Sequence, residues 1–350
     1  MAGGRCRATA QGTGAAMRSG PVRRMLPAAA LACALVGAAA CTDGQTGAAH
    51  GMTPRPSRDM AALTAPSAPA APSAATAPTA ATAPTASAPP ATTPAKPSPP
   101  PRHRPHLDPF GAAAASYLTT RTSTVSAAVY DLDTRQAWTV GQGNPQAEAS
   151  IVKLDVLETL FAQRRHGGGL SEEDRSLARG MIEDSDNTDA TDLWNTVGGA
   201  DGIRSFNAAV GLADTSPSRC VQCPGFPWPG WGLTMTIPTD QIALLRDVAE
   251  PSPLLTDADR SYALQLMESV TMSQRWGVSG GVPPQATVAL KNGWLPLDQA
   301  ETDWQINSIG WISGLHRDYL MAVLTTGNPT EQYGIDTIDG LSGIVWKNMG

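Results

Sequence analysis

Apart from one apolar run near the N-terminus, the hydrophobic positions of the chain are concentrated after residue 108, where their spacing predicts mixed α and β structure. Two β-rich runs within residues 123–141 flank the polar segment Asp131-Leu132-Asp133-Thr134, which predicts a β-hairpin. Apolar residues then recur at helical spacing, and three later runs are typical of strands. The predicted helices are 150–165, 171–183, 186–197, 201–210, 238–249, 257–270 and 335–347, and the predicted strands are 287–290, 303–312 and 318–326.

The order of these elements indicates the fold class. Strands lie at both ends of the region, and helices lie between them. We therefore expect an α+β domain over residues 108–350, with an antiparallel sheet assembled from both chain ends and flanked by a helical subdomain. A region of that length is large enough to bury one substantial core.

Residues 1–41 have the pattern of a secretory signal. Arg18, Arg23 and Arg24 precede an apolar stretch, Met25 to Ala40, which is too short to span a membrane comfortably. Small residues directly before Cys41 resemble the signal of bacterial lipoproteins, in which that cysteine carries the lipid. The expectation is a membrane-anchored, extracytoplasmic lipoprotein, with plain secretion as the alternative.

Residues 42–107 are rich in proline, alanine and threonine, with almost no large apolar side chains. Such a segment cannot bury enough surface to offset its ordering entropy, which predicts a disordered linker stiffened by proline. The formal net charge of the chain is −6, which argues against a nucleic-acid partner. Nothing in the sequence indicates an oligomer, and we expect a monomer.

Two cysteines, Cys220 and Cys223, lie within the predicted domain. A zinc site would need two further ligands, and no histidine lies nearby. A redox motif is expected in a βαβ context, which the predicted elements do not provide. In an oxidising compartment the pair predicts a small disulfide that pins a loop, and neither a metal nor a cofactor is expected.

Three short segments carry candidate chemistry, and the first is Ser150 with Lys153 at the start of a predicted helix. Their spacing places both side chains on one helix face, one turn apart. A serine hydroxyl is a poor nucleophile without an adjacent base, and lysine is a base only where burial or neighbouring cations keep it partly neutral. Alone, the pair equally fits a surface lysine that follows an N-cap.

The second segment is Ser185-Asp186-Asn187. The Ser185 hydroxyl is suited to relay a proton, and the Asn187 amide is suited to bind a substrate amide, while Asp186 would bond backbone. Taken alone, the three residues also fit a turn followed by a helix cap.

The third segment is Lys291-Asn292-Gly293-Trp294, at the end of a β-rich run. A lysine on an edge strand can bind a substrate carboxylate, and Gly293 permits close approach of the substrate to the backbone. The backbone N–H groups of Trp294 and Ser150 would then form an oxyanion hole. The alternative is an ordinary turn at a strand end.

In this order and context, the three segments resemble the serine β-lactamase and penicillin-binding protein superfamily, and the class A β-lactamase domain most of all. SDNTDATDLW is similar to the SDN-T-x-A run of that family, and TIPTDQIALL to its Thr-x-x-Asp helix. The resemblance covers residues 115–350. It implies an acyl-serine hydrolase that opens β-lactams or peptidoglycan-derived amides.

The resemblance also implies a role for each residue. Ser150 would be the acylated nucleophile, Lys153 its base or proton shuttle, and Ser185 the proton relay. Asn187 would orient the substrate and Lys291 attract it. The backbone amides of Ser150 and Trp294 would hold the oxyanion.

The sequence departs from the family in three places. Asn292 replaces the threonine or serine of the third motif, so substrate selectivity should change. The segment between Ser150 and Ser185 is short, which indicates a more open cleft. Residues 212–233 contain no glutamate to activate the deacylating water: Asp214 is the one acid there and lies early, and the amide of Gln222 cannot serve as a base.

These departures keep three interpretations open. The first is a catalytic β-lactamase, and the second is a D-Ala-D-Ala peptidase or penicillin-binding protein with slow deacylation. The third is a module of the same fold that binds cell-wall material without catalysis. Trp228 and Trp231, in the segment that lacks the glutamate, are expected to pack within their loop rather than line a cleft.

Overall fold

The computed structural model describes residues 107–141, 143–224 and 226–350. The predicted signal segment, Cys41 and nearly all of the predicted linker lie outside the described residues. In chain order the helices and strands are α1 (Gly111–Leu118), β1 (Thr124–Asp131), β2 (Ala137–Val140), β3 (Gln146–Ala147), α2 (Val152–Arg164), α3 (Glu172–Glu183), α4 (Asn187–Thr196), α5 (Gly199–Val210), β4 (Met235–Thr236), α6 (Pro238–Ala249), α7 (Asp257–Glu268), β5 (Thr287–Pro296), β6 (Trp304–Gly314), β7 (Arg317–Asn328) and α8 (Glu331–Asn348).

Five of the strands form one antiparallel sheet in the order β2-β1-β7-β6-β5. Strand β1, from the start of the domain, pairs with β7 from its end, as expected from the positions of the predicted strands. Helix α8 packs against β6 and β7, and α6 packs against β1 and β7. Residues 319–325 of β7 are buried on both faces, so helices cover both sides of the sheet.

The fold is that of the predicted α+β class, and most predicted elements lie where their spacing placed them. Helix α3 begins with a capping box in which Ser171 and Asp174 bond each other's backbone N–H groups. Helix α8 begins four residues before its predicted start, because the Thr330 side chain accepts a hydrogen bond from the Tyr333 N–H and caps it there.

Three features differ from the prediction. Helix α1 is an additional element, which docks on α8 through hydrogen bonds from the Tyr117 hydroxyl to the carbonyls of Asp336 and Thr337. Strands β3 and β4 form a separate two-stranded sheet. Strand β5 extends to Pro296 rather than ending at residue 290, because each residue from Lys291 onward finds a partner on β6.

A disulfide joins Cys220 and Cys223, as predicted, and closes the loop between α5 and β4. In the stretches that the structure describes, no helix combines the length and the apolar character needed to cross a membrane.

Candidate active site

Ser150 lies in a 3₁₀ turn, Ala149–Ile151, that leads directly into α2. Ala149, just before it, has φ of +52°, a conformation that non-glycine residues adopt rarely and at a cost on the order of 1–3 kcal/mol. Lys153 follows in the first turn of α2, where every side chain from Val152 to Phe161 is buried. The turn therefore leaves Ser150 half-buried at a cavity, while α2 carries Lys153 into the interior.

The second motif lies in the connection between α3 and α4. Ser185 has φ of +58°. Asp186 is the N-cap of α4 and accepts hydrogen bonds from the Thr188 and Asp189 N–H groups. The cap interpretation of Asp186 is thus confirmed. This cap fixes the backbone on both sides of Asp186. As a result, the side chains of Ser185 and Asn187 both face Lys153.

The Lys153 amine makes three short hydrogen bonds to this connection. Its Nζ lies 2.6 Å from the Ser185 carbonyl oxygen, 3.0 Å from Ser185 Oγ and 2.9 Å from Asn187 Oδ1. A carbonyl and an amide oxygen can only accept hydrogen bonds. Two N–H groups of a neutral amine are therefore used by these oxygens, and its lone pair is left for the Ser185 hydroxyl.

Lys291 approaches the same hydroxyl from β5. Its Nζ lies 3.0 Å from Ser185 Oγ and 3.0 Å from the Asn292 carbonyl oxygen. The two amines are therefore at most 6.0 Å apart, since each is 3.0 Å from one shared oxygen. Ser185 has one hydroxyl proton, so it donates to one amine while it accepts from the other.

Burial controls the protonation of both amines, whose side chains are fully inaccessible to solvent. Burial lowers the pKa of Lys153 well below its ordinary value, and the charge of nearby Lys291 lowers it further, against an opposing effect of Asp186 and Asp189. Burial lowers the pKa of Lys291 to about 7. Burial therefore favours the neutral form of both amines, and for Lys291 that form is accessible near neutral pH.

Ser150, Ser185 and Asn187 line a common cavity, so the structure brings the first two motifs together. The Asn187 side-chain nitrogen makes no hydrogen bond within the described residues and remains free to bind a ligand. Nor does any hydrogen bond in the described ranges join the Ser150 hydroxyl to Lys153 or Ser185. Catalytic hydrogen bonds are often long before substrate binds, so this geometry is compatible with a nucleophile that is not yet engaged.

The third motif meets the first at Gly293. A Cβ added to this glycine would lie 2.7 Å from the Ser150 backbone nitrogen and 2.8 Å from the Glu148 carbonyl oxygen. Only glycine allows β5 to pass this close to the nucleophile turn. The next residue, Trp294, lines the cavity, and its ring packs edge-on against Trp276 at a centroid distance of 6.0 Å.

The prediction that Asn292 contacts substrate is wrong for its side chain. Asn292 is fully buried, and its Nδ2 group donates to the carbonyl oxygens of Gln274 (2.7 Å) and Trp276 (3.0 Å). Its Oδ1 accepts a 2.6 Å hydrogen bond from Ser308. All the polar atoms of this side chain are therefore used away from the cavity, in contacts that hold β5 to β6 and to the preceding loop.

The loop before β4 supplies tryptophans to the cavity rather than an acid. Trp228 and Trp231 both line it, contrary to the expectation that they only pack within the loop. The Trp231 ring centroid lies 5.1 Å from Lys153 Nζ, and its Nε1 donates to Thr191 Oγ1. No carboxyl group is among the residues described as lining this cavity.

A group of buried carboxyls lies behind the nucleophile turn and was not anticipated. Glu148, Asp155 and Glu158 are fully buried, and all four carboxyl oxygens of the two glutamates lack a hydrogen-bond partner among the described residues. Burial raises the pKa of Asp155 to about 7 and the pKa values of both glutamates well above their ordinary range. Within the described stretches, no group of three or more His, Cys, Asp or Glu side chains is arranged to hold a metal ion.

Comparison with known proteins decides the family. Residues 173–349, half of the chain, match the model of the Beta-lactamase enzyme family, Beta-lactamase2. The chain belongs to the β-lactamase enzyme family. Ser150 and Lys153 lie before the matched segment, whereas the second and third motifs lie inside it.

Solved β-lactamases share the fold. A class A β-lactamase from Bacteroides cellulosilyticus superposes with a TM-score of 0.61 at 17% identity, covering 69% of this chain and 98% of that one. The TLA-1 extended-spectrum β-lactamase gives a TM-score of 0.62 at 17% identity, covering 68% and 97%. A class A β-lactamase from Mycobacterium abscessus gives 0.56 at 20% identity, covering 67% and 96%. The fold of this β-lactamase family member is therefore that of the class A enzymes.

The curated relatives are mycobacterial. LppW of Mycobacterium tuberculosis and Mycobacterium bovis, whose name describes it as a lipoprotein, is 29% identical over 214 residues. The aligned region is 57% of this chain and 62% of LppW, so the chain spans less than two thirds of the length of these relatives.

Proposed function

We propose that this domain is an acyl-serine hydrolase in which Ser150 opens β-lactams or related cell-wall amides through a covalent intermediate. The observation that carries the proposal is the hydrogen-bonded series Lys153–Ser185–Lys291 beside the cavity that Ser150 lines. Two buried lysines around one hydroxyl have little structural reason to exist, because their desolvation is costly. A chemical reason does exist: two lysines that can become neutral can pass a proton through the hydroxyl between them.

The proton transfers follow from the donor and acceptor capacity of these groups. Ser150 Oγ comes within reach of Lys153, whose lone pair turns from the Ser185 hydroxyl to the Ser150 hydroxyl. Ser150 loses its proton to this neutral amine and attacks the substrate carbonyl carbon. The backbone N–H groups of Ser150 and Trp294 stabilise the oxyanion. As the carbon–nitrogen bond breaks, Ser185 gives its hydroxyl proton to the leaving nitrogen, and the protonated Lys153 restores the proton to Ser185.

Deacylation is expected to be the slow half of the reaction. Hydrolysis of the acyl-enzyme requires a base for the attacking water, and such a base commonly contributes about 10²–10⁴-fold. The Trp231 indole, which has no basic atom, packs over Lys153, and no carboxyl group lines the described cavity. This observation favours a penicillin-binding protein or D-Ala-D-Ala peptidase as the second candidate, with acylation intact and turnover weak.

The cellular setting belongs to the same proposal. The lipoprotein name of LppW supports lipidation of Cys41, which would tether the domain outside the cytoplasm near cell-wall material. A monomer is sufficient for the proposed chemistry, because every candidate side chain and backbone group comes from one chain.

The proposal is tested by incubating the protein with a fluorescent penicillin and a chromogenic cephalosporin, followed by intact mass measurement. Turnover with little adduct supports a β-lactamase, and a persistent adduct on Ser150 supports the penicillin-binding interpretation. Ser150→Ala should abolish both signals, whereas Ser116→Ala, at an exposed serine on α1, should change neither. The absence of adduct and turnover, with retained binding of muropeptides, would instead indicate a non-catalytic module.

A further inference from the structure

Two residues that pair directly across β5 and β6 face the turn that carries Ser150. They are Gly293 on β5 and Asn307 on β6, and directly paired residues of antiparallel strands lie on the same face of a sheet. Gly293 has no side chain and lets the turn approach β5 closely. Asn307 extends beside it, and its side chain therefore meets the backbone that leads into Ser150.

The Asn307 amide holds both carbonyl groups that precede Ala149. Its Nδ2 donates one hydrogen bond of 2.8 Å to the Ala147 carbonyl oxygen and another of 2.8 Å to the Glu148 carbonyl oxygen. A side-chain amide nitrogen has two N–H groups, so both donors of Asn307 are used on this segment. The side chain is fully buried, and no solvent competes for these two bonds.

These hydrogen bonds act next to the strained residue of the turn. Ala149 has φ of +52°, and φ is the rotation that follows the peptide plane of the Glu148 carbonyl. Asn307 fixes that plane on one side of Ala149, and the N–H and hydroxyl groups of Ser150 follow on the other side. Strained backbone persists only where surrounding contacts hold it. Without the Asn307 amide, we expect the turn to relax and Ser150 to rotate from its position at the cavity.

A buried network fixes the direction of the Asn307 amide. Its Oδ1 accepts a 2.7 Å hydrogen bond from Gln305 Nε2, which also donates to Gln146 Oε1 at 3.1 Å. Gln146 in turn donates to Ser126 Oγ at 2.9 Å. Turning the Asn307 amide over would place its oxygen against two carbonyl oxygens and its nitrogen against a donor. The network therefore holds Asn307 in the orientation that bonds the turn.

We propose that Asn307 is a positioning residue for Ser150: it holds the two carbonyl groups before Ala149 and thereby directs the Ser150 hydroxyl and backbone N–H toward the substrate. This inference rests on the proposed acylation of Ser150. Asn307 is not among the residues described as lining the cavity, so it acts through the turn. Its loss should slow the attack on the substrate without weakening noncovalent binding, which other side chains provide.

A matched pair of substitutions tests this role. Asn307→Leu removes both donors at similar size. Asn328→Leu removes a comparable buried amide on β7, whose Nδ2 donates to the carbonyl oxygens of Trp304 (2.8 Å) and Thr325 (3.2 Å). Each protein reacts with benzylpenicillin at increasing concentrations, and intact mass gives the limiting acylation rate and the half-saturating concentration.

We expect Asn307→Leu to lower the limiting rate by about 10²-fold at an unchanged half-saturating concentration, since a small displacement of a reacting group costs about this much. Asn328→Leu should leave both values unchanged. Urea denaturation should show both variants destabilised, because each leaves buried carbonyl groups unpaired. Asn307→Asp keeps the shape and, when protonated, one donor, so it should react at an intermediate rate. It also provides the measurement if Asn307→Leu does not fold, with Asn328→Asp as its control.

A wild-type limiting rate in the folded Asn307 variants would overturn the positioning role and leave the acyl-serine function standing. Equal slowing in the Asn307 and Asn328 variants would overturn the positioning role as well, because a general loss of stability would then explain both. Failure of the wild-type protein to be labelled on Ser150 would overturn the acyl-serine function itself, and the positioning role with it.

Discussion

Replacing Asp155 with Asn is expected to stabilise the protein at pH 8 but not at pH 4. Asp155 lies on α2, fully buried, where its Oδ1 accepts a 3.4 Å hydrogen bond from Thr159. Asparagine has nearly the same shape and keeps an oxygen that can accept this bond. The substitution therefore removes a buried ionisable group with little change in packing.

The magnitude follows from the pKa. Burial raises the pKa of Asp155 from 3.8 to about 7, an effect partly offset by the Asn207 and Thr159 side chains. Between these two values the folded state keeps a proton that the unfolded state has lost, so stability falls as the pH rises through this window. At 1.36 kcal/mol per pH unit, the loss contributed by this group amounts to about 4 kcal/mol by pH 8.

Urea denaturation followed by tryptophan fluorescence measures the difference. The free energy of unfolding of Asp155→Asn should equal that of the wild type at pH 4 and exceed it by about 4 kcal/mol at pH 8. Asp133→Asn, at an exposed position, serves as the matched control and should give less than about 0.5 kcal/mol at either pH. A variant no more stable than the wild type at pH 8, or a difference that does not change with pH, would refute the reasoning.

Three further predictions concern the site. Gly293→Ala should reduce the rate of Ser150 acylation, measured by intact mass, by about 100-fold or more. The new Cβ would lie 2.7 Å from the Ser150 backbone nitrogen, which is proposed to hold the oxyanion. An unchanged acylation rate would contradict the close packing of β5 against the nucleophile turn. Ser185→Ala should slow acylation by about 10²-fold or more, whereas Ser185→Thr should retain part of the rate, since the hydroxyl is the relay; equal rates for the two would argue against it. Lys291→Met should move the pH-dependent rise of the acylation rate to higher pH. The Lys291 charge helps to lower the pKa of Lys153, and the neutral form of Lys153 is the base. A rise of the acylation rate at unchanged pH would show that the two amines do not interact.

Sequence patterns predicted the positions of most helices and strands because their apolar positions are regularly spaced. Strand β5 was predicted too short because Lys291, Asn292 and Gly293 are atypical of a strand taken alone. Pairing with β6 extends the strand through them, and that pairing is a tertiary interaction.

The structure places residues of all three predicted motifs at or beside one cavity, but two features of that cavity could not be predicted from the sequence. The orientation of Asn292 depends on which groups meet it behind β5, which no local pattern records. The loop that carries Trp228 and Trp231 has no periodicity, so its path across the cavity was not predictable.

The buried acids of α2 show a different limit. Lys153, Asp155 and Glu158 are polar residues in a helix, which ordinarily indicates a solvent-facing side. Here α3, α4 and α5 pack around the helix, and the polar positions are as buried as the apolar ones. A helix at the protein surface could have the same spacing of polar residues. Only the packing of neighbouring helices distinguishes the buried helix from a surface helix.

The most direct test of the central claim is the mass of the protein after reaction with a penicillin, followed by peptide mapping of the modified residue. The proposed mechanism predicts a mass increase of one penicillin per chain, located on Ser150, absent in Ser150→Ala and strongly reduced when Lys153 is replaced by Met. Full labelling in the absence of the Lys153 amine, or labelling at another residue, would contradict it.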